Sequence, residues 1–183
     1  MTIKTFNINT DKTAFVRAYL PDSIAGLPFC EKRPAVLIFP GGGYEYCSDR
    51  EGEPIALQYL ALGYAAFVVT YSCNERFPEP LMDAAYIFYK IRMRAEEFKI
   101  DPQKMAVLGC SAGGHLAGCL ATMWSDIALT KTIGCEPEDL RPNAAILCYP
   151  VISGVTAPHE GSFKVLLGED ASRSDLSRLS LEN

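Results

Sequence analysis

Four nearly unbroken apolar runs, at residues 35–39, 65–70, 105–108 and 144–148, constrain this chain more than any other feature. A strand with one wet face alternates apolar and polar residues, so runs that are apolar almost throughout belong to strands covered on both sides. Parallel strands between two layers of helices meet that condition. The intervening segments carry the helical period. Residues 54–62 place Ile55, Ala56, Tyr59, Leu60 and Leu62, with Gly63 as a stop, and residues 79–98 place Leu81, Ala84, Ala85, Phe88 and Ile91 before Ile100-Asp101-Pro102. A third helix is predicted to begin directly after Ser111. This alternation of strand and helix predicts an α/β fold with right-handed crossovers. Ahead of it, residues 5–9 and 14–20 read as two antiparallel strands joined through Thr10-Asp11-Lys12. No repeat or low-complexity linker interrupts residues 1–183, so a single domain is expected.

Composition narrows the function. The net charge is −5, and Lys and Arg are scattered singly, so no basic face exists to hold a nucleic-acid backbone. The N-terminus carries no apolar leader segment and no stretch approaches the ~18 apolar residues of a membrane span, so a cytoplasmic protein with no membrane partner is expected. Seven widely spaced cysteines in such a chain are expected to be reduced thiols. With no Cys-x-x-Cys and only two histidines, His115 and His159, no metal site is expected, and no motif calls for a cofactor.

Gly109-Cys110-Ser111-Ala112-Gly113 matches G-x-S-x-G and lies where that motif carries chemistry, directly after a buried strand and opening a helix. A sharp strand-to-helix turn lifts the serine out of the sheet and crowds its neighbours, so the flanking positions must be small. Ser111 is the candidate nucleophile, and the Ala112 amide at the helix N-terminus is a candidate oxyanion donor. A glycine-rich turn without catalytic meaning is the competing reading. Against it stands a second cluster, Phe39-Pro40-Gly41-Gly42-Gly43-Tyr44, which follows the first parallel strand. Esterases of this type keep an H-G-G-G sequence there, and Pro40 replaces its histidine. The backbone amides of Gly42 and Gly43 complete the candidate oxyanion hole. A phosphate loop is disfavoured because neither G-x-x-x-x-G-K-[ST] nor G-x-G-x-x-G is satisfied.

These two clusters, with Ser48-Asp49-Arg50-Glu51-Gly52, Ile100-Asp101-Pro102, the continuation Gly114-His115-Leu116-Ala117 and Tyr149-Pro150-Val151-Ile152-Ser153, carry a resemblance over nearly the whole chain. The sequence resembles the bacterial acetyl-xylan-esterase-like carboxylesterases of the α/β-hydrolase superfamily, relatives of the hormone-sensitive-lipase group. The resemblance implies a mostly parallel sheet with helices on both faces and hydrolysis of short acyl esters, often acetyl groups on sugars, through a Ser-Asp-His triad and an acyl-enzyme. Tyr44 and His159 are candidate substrate contacts, with Tyr46 and Arg50 beside them.

In this fold the triad runs Ser, then Asp or Glu, then His, on loops after two further strands. Only 72 residues follow Ser111 (183 minus 111), and none of the last stretch, residues 172–183, is a strand candidate. The chain is therefore expected to lack the last strands and helices, and with them the triad acid and base. His115, one turn past Ser111, is expected to pack inside the fold. A makeshift triad of Ser111, His159 and Asp139 or Glu138 keeps the chain order. Little or no turnover is expected without a base. The strand at 144–148 is expected to be an open sheet edge that favours a homo-oligomer. The alternative function is a catalytically inactive hydrolase-like protein that self-associates or binds ligand; a prolyl-oligopeptidase-type peptidase fits less well, since no propeller domain is present.

Overall fold

A computed structural model describes residues 1–7, 14–23 and 32–182, and its centre is a six-stranded sheet. The strands are β1 (Thr2–Asn7), β2 (Phe15–Leu20), β3 (Arg33–Phe39), β4 (Ala65–Thr70), β5 (Ile100–Cys110) and β6 (Ala144–Cys148), in the order β1-β2-β4-β3-β5-β6. The four apolar runs form the parallel part: β3 pairs with β4 and β5, and β5 pairs with β6. β1 and β2 add an antiparallel flank. β1 begins earlier than the expected residue 5, and the expected join at Thr10-Asp11-Lys12 lies outside the described residues.

Helices cover both faces, as the unbroken apolarity requires. Between the strands run α1 (Glu53–Ala61), α2 (Glu79–Met93), α3 (Ala95–Phe98), α4 (Ala112–Met123), α5 (Ile127–Ile133) and α6 (Pro137–Leu140); α7 (Glu160–Leu167) and α8 (Arg173–Arg178) follow β6. On one face Leu37, Phe39 and Phe67 pack with Phe88 and Ile91 of α2 and Leu116 and Leu120 of α4. On the other, Val36, Ile38, Ala66 and Leu108 pack with Ala56 of α1. Each fully buried leucine, isoleucine or phenylalanine contributes about 1.5–3 kcal/mol relative to exposure, which makes this double-sided core the main source of stability. Among the described residues, no helix is long and apolar enough to cross a membrane.

Two local differences from the sequence reading have visible causes. The single helix expected over 79–98 is broken at Arg94 (φ −104°, ψ 25°), and the break turns Phe98 into the core against Phe67 and Phe6 at ring separations of 5.2 and 5.7 Å. β5 starts at Ile100 rather than 105, since Ile100 already pairs with Arg33. At the other side of the sheet, β6 pairs among the described residues with β5 alone, and Ala144, Ala145 and Leu147 remain exposed.

Candidate active site

Ser111 occupies the single residue between β5 and α4, at φ 52° and ψ −119°. A non-glycine residue at positive φ carries on the order of 1–3 kcal/mol of strain, so the surroundings must hold it. They do so through its own peptide groups. The Ser111 N–H donates to the Cys148 carbonyl at the end of β6 (3.0 Å), and the Ser111 carbonyl accepts from His115 (3.0 Å) and Val151 (3.1 Å). The flanking glycines are obligatory for packing: a Cβ on Gly109 would lie 2.0 Å from the Gly113 carbonyl oxygen, and one on Gly113 would lie 2.0 Å from that of Phe39. The first turn of α4 thus rests directly on the end of β3.

The glycine loop comes up against this turn from the β3 side. A Cβ on Gly41 would stand 3.0 Å from the Ser111 Cβ, and Gly42, at φ 137°, has no room for one beside the Tyr46 carbonyl. The Gly41 N–H donates to the Glu51 carboxylate at 2.7 Å. By contrast, the N–H groups of Gly42, Gly43 and Ala112 donate to no protein group among the described residues. Unpaired amides beside a helix N-terminus are poised to receive a developing negative charge.

A cavity of about 620 Å³ opens beside Ser111, lined among others by Tyr149, Ile152, Ser153, His159 and Glu182. His159 thus borders the same space as the serine. Its ring is committed, however: it caps α7, with Nδ1 accepting from the Ser162 N–H (3.3 Å) and lying 2.9 Å from the Ser162 hydroxyl. A neutral imidazole that accepts at Nδ1 carries its proton on Nε2, so this tautomer has no basic nitrogen left for a hydroxyl.

Two readings of the sequence are corrected. The makeshift triad, a disfavoured alternative because it lacks the expected loops, does not assemble: α6, which carries Glu138 and Asp139, precedes β6 at the opposite end of the sheet. Asn143 just beyond it bonds Met105 at the start of the parallel part of β5. Five residues of strand separate Met105 from Cys110, about 16 Å. Asp139 instead accepts from the Glu136 N–H at its own helix N-terminus. The second correction concerns Tyr44, expected at the substrate. It is 1% exposed, its ring stands edge-on to Tyr71 and His115, and its hydroxyl lies 2.7 Å from His115 Nδ1. No face of it is open to a ligand. Tyr46 and Arg50, by contrast, are exposed.

His115 lies inside the fold, with Nε2 2.7 Å from the Leu179 carbonyl. A carbonyl only accepts, so Nε2 carries the proton and Nδ1 accepts from Tyr44. Burial holds this imidazole below its ordinary value, against the opposing pull of the Leu179 carbonyl. The unfolded chain therefore takes up a proton near pH 6.5 while the folded one resists it. The stability present above pH 6.5 is lost as pH falls toward the depressed folded value, by at most about 1.4 kcal/mol per pH unit. Urea midpoints at pH 7.5 and 5.0 are expected to fall less in His115→Gln than in the parent. Equal falls would show that His115 does not titrate with folding.

A model of the BD-FAE family matches residues 27–156. The chain belongs to the BD-FAE family. Among its curated relatives, endo-1,4-beta-xylanase B of Butyrivibrio fibrisolvens is 35% identical over 82% of this chain and 24% of its own length. The acetylxylan esterase of Xylanibacter ruminicola is 33% identical over 81% of this chain and 28% of its own. This BD-FAE chain thus spans about a quarter of the length of the curated relatives it matches. A solved acetyl ester-xyloside bifunctional hydrolase from Caldicellulosiruptor lactoaceticus superposes with a TM-score of 0.80 at 34% identity, over 97% of this chain and 64% of that one. The sheet and its helices are accordingly the α/β-hydrolase fold.

Within this BD-FAE site the sequence reading passed over Glu51 and Tyr149. Glu51 accepts the Tyr149 hydroxyl at 2.8 Å with one oxygen and the Gly41 N–H with the other. The sequence signals were the positions of Glu51 within Ser48-Asp49-Arg50-Glu51-Gly52 and of Tyr149 within Tyr149-Pro150-Val151-Ile152-Ser153, which say nothing about the bond between them. Among the described residues, no cluster of three or more His, Cys, Asp or Glu side chains is arranged to hold a metal ion.

Proposed function

We propose that this chain carries the nucleophile and oxyanion hole of a serine carboxylesterase for short acyl esters, acetyl groups on carbohydrate among them. The observation that supports the reading is Ser111 held at φ 52° between β5 and α4, beside the unpaired amides of Ala112, Gly42 and Gly43. In the proposed reaction Ser111 Oγ bonds to the acyl carbon and the carbonyl electron pair moves onto oxygen, where the amides receive it. Collapse expels the alkoxide, which takes up through solvent water the proton that Ser111 loses, and leaves an acyl-serine, which water then hydrolyses. The carbohydrate part of the proposal draws on the acetylxylan and xyloside names of the relatives.

A base must take the Ser111 proton. Neither histidine supplies one in the arrangement described, since His115 uses both nitrogens internally and His159 spends Nδ1 on α7. The direct test is therefore a stoichiometric one. An aryl phosphonate with a p-nitrophenolate leaving group is expected to add slowly, since the same proton loss limits it, up to one phosphonyl group per chain at Ser111, read by mass spectrometry, while p-nitrophenyl acetate turns over slowly. Labelling elsewhere, or none, overturns the reading of Ser111 as nucleophile.

We also propose that the chain self-associates through β6. Among the described residues its outer edge has no partner strand, and exposed Leu147, Tyr149 (68%) and Ile152 extend an apolar strip beside it. Light scattering at micromolar concentration is expected to give a mass of two chains or more; a strictly monomeric particle counts against this.

A further inference from the structure

We propose that Glu51 is the positioning residue that sets the glycine loop against the serine, by bonding the Gly41 N–H and the Tyr149 hydroxyl with the two oxygens of one carboxylate. The proposal rests on the reading of Ser111 as nucleophile and deepens it.

Among the described residues, of the three successive glycine amides only that of Gly41 is spent on a protein group, the Glu51 carboxylate. The Gly41 carbonyl is fixed as well, accepting from Ser48 (2.9 Å). Both ends of that residue are therefore tied to the segment that carries Glu51. That segment is a short turn, residues 49–51, itself pinned by Glu51 N–H to the Ser48 carbonyl (3.1 Å). With Gly41 fixed, the next two amides keep one orientation and remain unpaired. A donor aimed before the charge forms needs no reorganisation when it does, which is what makes such a hole effective.

The second oxygen reaches across the site. Tyr149 follows Cys148, and the Cys148 carbonyl holds the Ser111 N–H. One carboxylate therefore joins the glycine loop to the residues that hold the serine, on either side of Ser111. Glu51 pushes the Tyr149 phenol above its ordinary value, so Tyr149 stays a donor across the neutral range. A carboxylate suits two donors better than any neutral group. Glutamine retains one acceptor for Gly41, whose N–H can only donate, and its amide N–H can meet a rotated Tyr149 hydroxyl.

The test uses Glu51→Ala, Glu51→Gln and Tyr149→Phe in the full chain, with two readouts. The first is amide hydrogen exchange at Gly41, which requires no reactivity. The second is the rate of Ser111 labelling by the p-nitrophenyl phosphonate. Glu51→Ala is expected to speed exchange at Gly41 at least about tenfold and to slow labelling by about 10- to 100-fold, less than the ~10²–10³ for deleting a donor outright. Glu51→Gln is expected to restore both to within a few-fold of the parent. Tyr149→Phe, at a site exposed enough not to unfold the chain, is expected to slow labelling several-fold while Gly41 stays protected. Unchanged Gly41 exchange in Glu51→Ala, or Gln as defective as Ala, overturns the proposal. If the parent itself is not labelled at Ser111, the esterase reading falls, and Gly41 exchange still decides whether Glu51 fixes the loop.

Discussion

Gly113→Ala is expected to destabilise the native fold severely, although it adds one methyl group. The new Cβ would lie 2.0 Å from the Phe39 carbonyl oxygen, 2.4 Å from that of Pro40 and 2.6 Å from the Phe39 carbonyl carbon. All three are backbone atoms, so no side chain can rotate out of the way. Relief requires the first turn of α4 to lift from the end of β3, which opens the core around Phe39, Leu116 and Ala117, all but fully buried. Overpacking against side chains costs about 1–3 kcal/mol, and a rigid backbone clash belongs at or beyond the upper end, about 4 kcal/mol or more. Against a total stability of about 5–15 kcal/mol that is a large fraction. Gly43→Ala is the control: its Cβ would meet nothing within 4 Å, and only its φ of 67° opposes the change, at about 1–2 kcal/mol. Urea unfolding followed by circular dichroism separates the two. A Gly113→Ala midpoint close to the parent's would show that the β3–α4 contact yields easily.

Ser111→Ala is expected to abolish labelling by the phosphonate and to cut any turnover of short aryl esters to a residual level, with no loss of fold. Removing the hydroxyl deletes the only atom that forms the covalent bond, so mass addition falls to zero rather than by a factor. The residual catalysis left to an oxyanion hole alone acts on water attack and forms no adduct. The backbone strain stays, because alanine at φ 52° is no better placed than serine. Ser111→Gly therefore makes a useful third member: it loses labelling equally but relieves strain of on the order of 1 kcal/mol or more, and is expected to unfold at higher urea than Ser111→Ala. Persistent phosphonyl labelling in Ser111→Ala would place the nucleophile elsewhere.

The parallel strands and the helices α1, α2 and α4 were legible because each buries a continuous or periodic apolar surface, a signal that survives in a single sequence. The shorter helices were not. α5 shows only its Asp126 cap and the left-handed Gly134 at its end, and α8 a capping box between Ser172 and Asp175, signals too brief to separate from turns. The site divided along the same line. The sharp turn at Ser111 and the close approach of the glycines were readable because both constraints are local. Tyr44 was misplaced because its partner, His115, is 71 residues away, and a tyrosine after a glycine loop reads the same whether its ring faces the ligand or the core. His159 was read from its loop as a pocket residue, and nothing in its neighbours announced that its ring would cap α7.

The bond from the Ser111 N–H to the Cys148 carbonyl makes β6, at the edge of the described sheet, part of the scaffold of the Ser111 peptide. Any strand that adds to β6, from another copy or another protein, adds to the element that fixes the serine peptide. Where such pairing favours one arrangement of that peptide, thermodynamic reciprocity requires a group bound covalently or otherwise at Ser111 to change the pairing affinity by the same factor. The occupancy of the serine and the state of assembly are then two readings of a single equilibrium.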